Sequence, residues 1–437
     1  MNDIYYFISM WIYVPVNNFE LLVMAFPLFI LIELPFLILI FIGVLKWFKL
    51  SHKNDGDDFP TISVIVTCYS EGDAIRTTID TLVEQYYPND IEIILVIDGV
   101  KQNIETYKTA LFYKKKYKNR SMRKIKVLPK WYRGGRVSAL NAGLFEAKNQ
   151  LVINVDADTS FDNNMAYEMA LAFSDQNVIA SGGALRVRNE NKNFLTKLQS
   201  IEYMLSMRLG KIGMSEWGVI NNISGAFGAF RREMLKTIGG WDTHTAEDLD
   251  LTVRLKQYKR RYPFYKLCFS SNSIGHTDVP DTVMSLIKQR LRWDGDLLFL
   301  YLRKHKIGLT VKLLGWGNLI FLYIYGIFQN VALPFMIIFY LLFLLVTYPF
   351  VVVLSLTLFL YLIYLFTCSI YFCTYLLLVS EKKNIDIYLC LWLPLFPIYQ
   401  FIMKLLSAFA MSNEIFRRSH EESNMAPWWV IKRGKRF

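Results

Sequence analysis

Two aspartates one residue apart, Asp156 and Asp158, close the apolar run LVINVDAD at residues 151–158. Carboxylate oxygens suit hard cations such as Mg²⁺ or Mn²⁺. In an open α/β sheet, ligands gather beyond the carboxyl ends of the strands. Alone, the pair is equally a solvated strand-end turn, so its neighbours decide. The run 61–68 is followed by Tyr69 and Glu71, the run 91–97 ends on Asp98, and Gly134-Gly135 leads into Arg136. A tyrosine ring can stack on a base, and an aspartate can accept from uracil or ribose. A cation-binding pair can neutralise a diphosphate, and an arginine at a glycine-rich loop can contact a phosphate. Each has a plain alternative: a packed aromatic for Tyr69, an ordinary turn for Gly134-Gly135. Together they favour a nucleotide-sugar site.

Two later stretches add chemistry. Glu247 and Asp248 lie near a predicted helix start, where acidic residues also serve as simple charge partners of the helix. Residues 283–306 read as an interfacial helix on which Gln289, Arg292 and Trp293 share a face. Arg292 can hold a diphosphate, and Trp293 can stack on a sugar ring. Asp294 and Asp296 follow at once and have no evident role in the sequence.

The elements that must position these groups alternate strand and helix from residue 61 onward. This predicts a mainly parallel sheet with flanking helices. Hydrophobic residues make up 53% of the 437, and the excess lies at both ends. A soluble domain between membrane segments follows. The net charge is +12. Its Lys and Arg are dispersed or border apolar runs, which fits a cytosolic membrane face and argues against a nucleic-acid partner. Five cysteines without metal spacing read as reduced thiols. The expected organisation is an N-terminal transmembrane segment at 1–50 and a catalytic domain at 51–280. An amphipathic interfacial helix at 281–310, transmembrane helices at 311–411 and a basic cytosolic tail at 412–437 complete it. Candidate C-terminal spans are 313–330, 331–348, 350–378 and 388–410. An even number of crossings is required, and four is favoured over two crossings with one interfacial segment. Glu33 is expected to face other helices, and Asn330 and Gln400 to face either a pore or neighbouring helices.

In this order, the motifs resemble those of the membrane-embedded family 2 glycosyltransferases, the class containing cellulose, hyaluronan and poly-N-acetylglucosamine synthases. They are Cys68–Glu71, Asp98-Gly99, Gly135–Asn141, Asp156-Ala157-Asp158, Ser224–Arg232, Gly240-Trp241-Asp242 with Glu247-Asp248, and Gln289–Trp293. Size and the two-ended membrane plan are most similar to the poly-β-1,6-N-acetylglucosamine branch. The resemblance implies a GT-A-like domain and a processive inverting β-glycosyltransferase. Its donor would be a UDP-sugar, UDP-N-acetylglucosamine favoured, and its acceptor a growing polysaccharide that is passed across the plasma membrane. It implies Mg²⁺ or Mn²⁺ at Asp156 and Asp158, with the donor held by Tyr69, Glu71, Asp98, Arg136, Gln289, Arg292 and Trp293. Asp248 would be the base, beside Glu247, and Ala246 replaces the threonine of the family's Thr-Glu-Asp. Membrane lipid and accessory export or regulatory subunits are the implied partners. The alternatives are transfer of one sugar to a lipid carrier and an inactive transport or scaffold subunit. Trp428 and Trp429 in the basic tail suggest a gate over the nucleotide site.

Overall fold

The computed structural model describes residues 29, 33–50, 59–242 and 245–417. The gate at Trp428 and Trp429, the linker at 51–58 and the start of the N-terminal run lie outside the described residues. The chain first forms α1 (Leu34–Leu50), β1 (Ile62–Cys68), α2 (Ile75–Val83), β2 (Ile91–Asp98), α3 (Ile104–Lys116), β3 (Arg123–Lys130) and α4 (Arg136–Glu146). It continues through β4 (Leu151–Asp156), β5 (Ser160–Phe161), α5 (Met165–Ala172), β6 (Val178–Val187), α6 (Phe194–Glu202), α7 (Lys211–Glu216), β7 (Phe227–Arg231) and α8 (Arg232–Thr237). Then come α9 (Glu247–Arg261), β8 (Lys266–Thr277) and α10 (Val283–Phe299).

The strands form one sheet in the order β3-β2-β1-β4-β7-β6-β8-β5. From β3 to β4 every pairing is parallel; β7 lies antiparallel between β4 and β6, which makes the sheet mixed. Apolar side chains occupy successive positions because both faces are buried. Ile93, Leu95 and Ile97 of β2 pack under α2, α3 and α5, whereas Ile94 and Val96 face the other way. On that second face the core runs without a break into membrane-region residues Ile40, Phe372, Tyr375 and Phe396. The catalytic sheet and the apolar helices therefore share one core.

Backbone contact fixes α1 to the catalytic domain. A Cβ on Gly43 would lie 2.5 Å from the Gly213 carbonyl oxygen of α7, so only glycine permits the crossing.

Three long apolar helices follow: α11 (Trp316–Thr347), α12 (Phe350–Val379) and α13 (Lys383–Arg417). The four candidate segments expected between 313 and 410 fall on these three helices, because the first two fuse into α11. The π-helical stretch Leu322–Ala332 directly precedes Pro334. Its wider turns accommodate a ring that would otherwise break the helix. Asn330 donates to the Tyr325 carbonyl within its own helix, and Gln400 accepts from Cys368 on α12. Both bonds are helix contacts, one of the two roles expected for these residues. Glu33 accepts from Tyr364 at 2.6 Å, facing another helix as expected.

Candidate active site

The parallel strands β1, β2 and β4 deliver Tyr69, Asp98 and Asp156 to the same sheet edge. Arg136 opens α4 there, turned inward by Gly135 at φ 85°, a left-handed conformation that glycine adopts freely. Its guanidinium is saturated by the protein. Nη1 pairs with Asp156, Nε donates to Glu247 at 2.6 Å, and Nη2 donates to the Gly225 carbonyl at 2.6 Å. Burial opposes its charge, but Asp156 and Glu247 hold it firmly protonated. Arg136 was expected at a phosphate. The structure instead places it beneath the crevice, joining the Asp-x-Asp strand end to the start of α9.

Asp98 also departs from expectation. Its oxygens accept from Lys130 at 2.7 Å and from the backbone N–H groups of Gly134 and Gly135 at 2.9 and 2.8 Å. It shapes the glycine loop that aims Arg136, and that work occupies the carboxylate expected on uracil. Tyr69 stays half exposed at the rim, and the Arg133 guanidinium lies 4.0 Å from its ring centre. Sequence reasoning missed Arg133, Lys130 and the stacking pair, because nothing local distinguishes them from surface cations.

On the acidic side of the crevice the nearby cations are already engaged, Arg136 by Asp156 and Glu247, and Arg188, close to Asp158, by Asp278. Glu71 carries a buried oxygen with no hydrogen-bond partner in the structure. Burial, with Asp158 and Asp156 nearby, pushes its carboxyl up to about 7. The Asp158 carboxyl is likewise raised by burial and by Asp156. This excess of negative charge fits a divalent cation held by Asp158 and Asp156. Among the described residues no group of three or more His, Cys, Asp or Glu could enclose a metal alone. The remaining ligands would have to come from the donor and water.

Asp248 sits across from Asp156, one residue after Glu247. It accepts from Asn222 at 3.0 Å, from the Gly225 N–H at 3.1 Å and from its neighbour Leu249 N–H. A Cβ on Gly225 would meet Glu247, Arg136 and Asp248, so the small-residue segment passes tightly beneath both carboxylates. Glu247 is buried, and burial raises its carboxyl while Arg136 pulls it down. Buried Lys211, also missed from sequence, feels Asp248, and burial lowers its ammonium to about 8.

Helix α10 borders this side. Arg290 pairs with Glu202 at 2.6 Å, and its guanidinium lies 5.0 Å from the Trp293 ring centre. Gln289 is half buried and Arg292 exposed. Asp294 accepts from Ser407 of α13 at 2.7 Å. Asp296 is buried near Arg292 and Glu247, and burial pushes its carboxyl up to about 7. Asp250, one turn into α9, is fully enclosed by His305, Lys304 and Arg254. It fastens α9 to the segment after α10.

Residues 63–239 match the model of Glycosyl transferase family 2. A poly-beta-1,6-N-acetyl-D-glucosamine synthase of Staphylococcus epidermidis is 31% identical over 245 residues, covering 55% of each chain. One from Staphylococcus aureus strain MSSA476 is 31% identical over 252 residues, 56% of this chain and 57% of the relative. The chain spans about half the length of the curated relatives it matches. The mannosyltransferase PcManGT from Pyrobaculum calidifontis, solved with GDP-Man and Mn²⁺, aligns with a TM-score of 0.54 at 17% identity. That alignment covers 86% of this chain and 96% of the other, and it shows a common fold.

Proposed function

We propose that this chain, which carries a family 2 glycosyltransferase domain, polymerises a UDP-sugar into a polysaccharide that is passed across the membrane. UDP-N-acetylglucosamine is the first donor to test, given the names of the relatives. One observation carries the reading. Arg136 holds the Asp-x-Asp strand end and the Glu247-Asp248 helix start on a single guanidinium. Donor-binding and proton-accepting carboxylates are thereby fixed in one crevice.

In the proposed reaction Asp248 takes the proton of the acceptor hydroxyl. Its bonds to Asn222 and Gly225 hold the carboxylate in place for that task. The hydroxyl oxygen bonds to the anomeric carbon as the bond from that carbon to the diphosphate breaks, with inversion. UDP departs with the electron pair. Tyr69 stacks on the base, and Arg292 at the exposed rim meets the diphosphate. Asp98 and Arg136 position the loop and the carboxylates. A bound Mg²⁺ or Mn²⁺ would neutralise charge on the leaving diphosphate. Gln289 and Trp293 line the acceptor side.

The membrane plan belongs to the same proposal. Arg186 and Arg208 of the catalytic domain grip Glu381 and Asp386, just after α12. Arg290, Asp294 and Arg303 of the α10 region meet Tyr399, Ser407 and Glu414 in ascending order, so α13 runs parallel beside α10. Helices α11 and α12 thus leave and return to the catalytic side, a hairpin of two crossings, and α13 lies along the interface. This puts Lys382 and Lys383 on the cytosolic side of the plasma membrane with the catalytic domain, as the charge rule requires. A reporter inserted at 382 should be accessible from the cytosol; an external signal would refute the hairpin.

The decisive experiment incubates purified protein with each UDP-sugar and Mg²⁺ or Mn²⁺. UDP release with a ladder of products is expected. A single-sugar product would place the enzyme among lipid-carrier transferases. No release from any donor would leave an inactive scaffold.

A further inference from the structure

Away from the crevice, a hollow of about 310 Å³ lies between the start of α6 and the beginning of α13. Its polar wall carries Glu190, Asn191 and Lys197; its other wall carries Tyr388, Leu389 and Trp392. We propose that this hollow binds the phosphate headgroup of a phospholipid from the leaflet beside the catalytic domain.

The two walls differ in a way that fits a lipid. Residues Ile387–Leu395 form a 3-10 helix, in which side chains three apart eclipse. Tyr388 and Leu391 are accordingly exposed in one column, at 71% and 76%, and Ile385, just before this helix, is 54% exposed. Nothing in the described chain covers that column, and on the proposed hairpin it meets acyl chains. Trp392 and Tyr388 stand where amphipathic rings settle, at headgroup depth.

The cation is ready on the opposite wall. The Lys197 ammonium lies 5.0 Å from the Trp392 ring centre, held at the mouth by the ring. Glu190 accepts from the Ser200 hydroxyl at 3.0 Å, and Lys192 pairs with Asp281. Lys197 is therefore the cation facing the hollow, and Glu190, which shares its wall, is tied back to Ser200. An ammonium and an amide side chain opposite an apolar column suit a phosphate diester with attached tails, in preference to a free anion. The hollow is also distinct from the crevice. It opens near Phe194, whereas the Glu202–Arg290 pair sits at the far end of α6, about 12 Å along the helix.

The test uses the full chain, delipidated in a maltoside detergent and titrated with phosphatidylglycerol under native mass spectrometry. One retained lipid is expected, with affinity about fivefold weaker in Lys197→Glu and near normal in Lys197→Arg. Trp392→Ala should weaken retention as well, with gel-filtration behaviour unchanged. Two control ligands locate the source. Phosphate-free diacylglycerol should not be retained, and millimolar inorganic phosphate should not displace the lipid. Equal binding by Lys197→Glu, retention of diacylglycerol, or displacement by inorganic phosphate would each overturn the proposal. None of these readouts depends on glycosyl transfer.

Discussion

Two charge clusters flank the same sheet and follow opposite rules. Beyond β6, Arg186 and Arg208 meet Glu381, Asp386 and the Tyr375 hydroxyl, and the Ser380 hydroxyl donates to Asp386. Cations and carboxylates are matched, and Asp386 is fully buried. Beyond β4, Glu71, Asp156 and Asp158 gather with Arg136 already committed to both Asp156 and Glu247. Burying charge without a partner is costly, and folding alone gives no reason to tolerate it. The matched cluster fastens helices to a sheet. In the other, carboxylates outnumber the cations available to them, a surplus that favours something positive from outside, which is how a binding site differs from a clamp.

Substituting one carboxylate in each cluster should separate the two roles. Asp158→Asn is expected to lower UDP release by at least about a hundredfold while the melting temperature stays level or rises. Relief of repulsion on Glu71 supplies the gain. Asp386→Asn removes the fully buried partner of Arg186, leaving it Glu381 alone, and is expected to cost about 3 kcal/mol, read as a lowered melting temperature. Asp248→Asn should resemble Asp158→Asn, with activity down by about 10²–10⁴ and donor binding retained. If Asp386→Asn is harmless and Asp158→Asn unfolds the protein, the contrast fails.

Arg136 belongs to both kinds of cluster, so its replacement is the next most informative. Arg136→Lys keeps a charge but cannot span Asp156, Glu247 and the Gly225 carbonyl together. A loss of about 2 kcal/mol in stability with a larger fall in turnover is expected. Unchanged turnover would return Arg136 to the surface role of a phosphate contact.

Much of this was legible before any coordinates. Strand runs such as ISVIVTC and IEIILVID announce burial on both faces, and Asp156, Asp158, Glu247 and Asp248 declare themselves by placement after strands or at a helix start. The misreadings share a cause. Strand β7 resembles a glycine-rich turn, since small residues fit wherever a backbone runs close, and its antiparallel insertion depends on partners 72 to 80 residues away. Strand β8 is rich in serine and lacks a run of branched residues, so it leaves little signal. Asp98 and Arg136 were found but their protein partners were not, because a sequence shows which groups are present and not which of them satisfy each other. Glu202 and Arg208 are charges set among apolar residues in the sequence, and their partners, Arg290 and Glu381, lie 88 and 173 residues away.

Asp296 offers a smaller, pH-dependent version of the same contrast. Its carboxyl titrates at about 7 against 3.8 in the free residue, chiefly through burial. A carboxyl raised in this way supports folding fully below about pH 4, and that support is lost as pH rises toward 7. Asp296→Asn should therefore raise the melting temperature at pH 8 and leave it unchanged at pH 4. The gain at pH 8 should be about 2–4 kcal/mol. A gain equal at both pH values would show that packing, not charge, is responsible.

The smallest effect concerns the backbone that presents Glu247 and Asp248. Ala246 precedes Glu247 at φ 49°, in the left-handed region. The family pattern places threonine here, but a β-branched side chain is disfavoured at positive φ. Alanine is the milder choice, and it still carries a Cβ that this conformation penalises. Ala246→Gly should stabilise the protein by up to about 1 kcal/mol if the relief of strain exceeds the added freedom of the unfolded chain. Ala246→Thr should destabilise it by about 1–2 kcal/mol and lower turnover by displacing Glu247 from Arg136. If threonine is tolerated with full activity, the left-handed turn is not what holds the two carboxylates at the crevice, and the bonds to Arg136 and Gly225 must suffice.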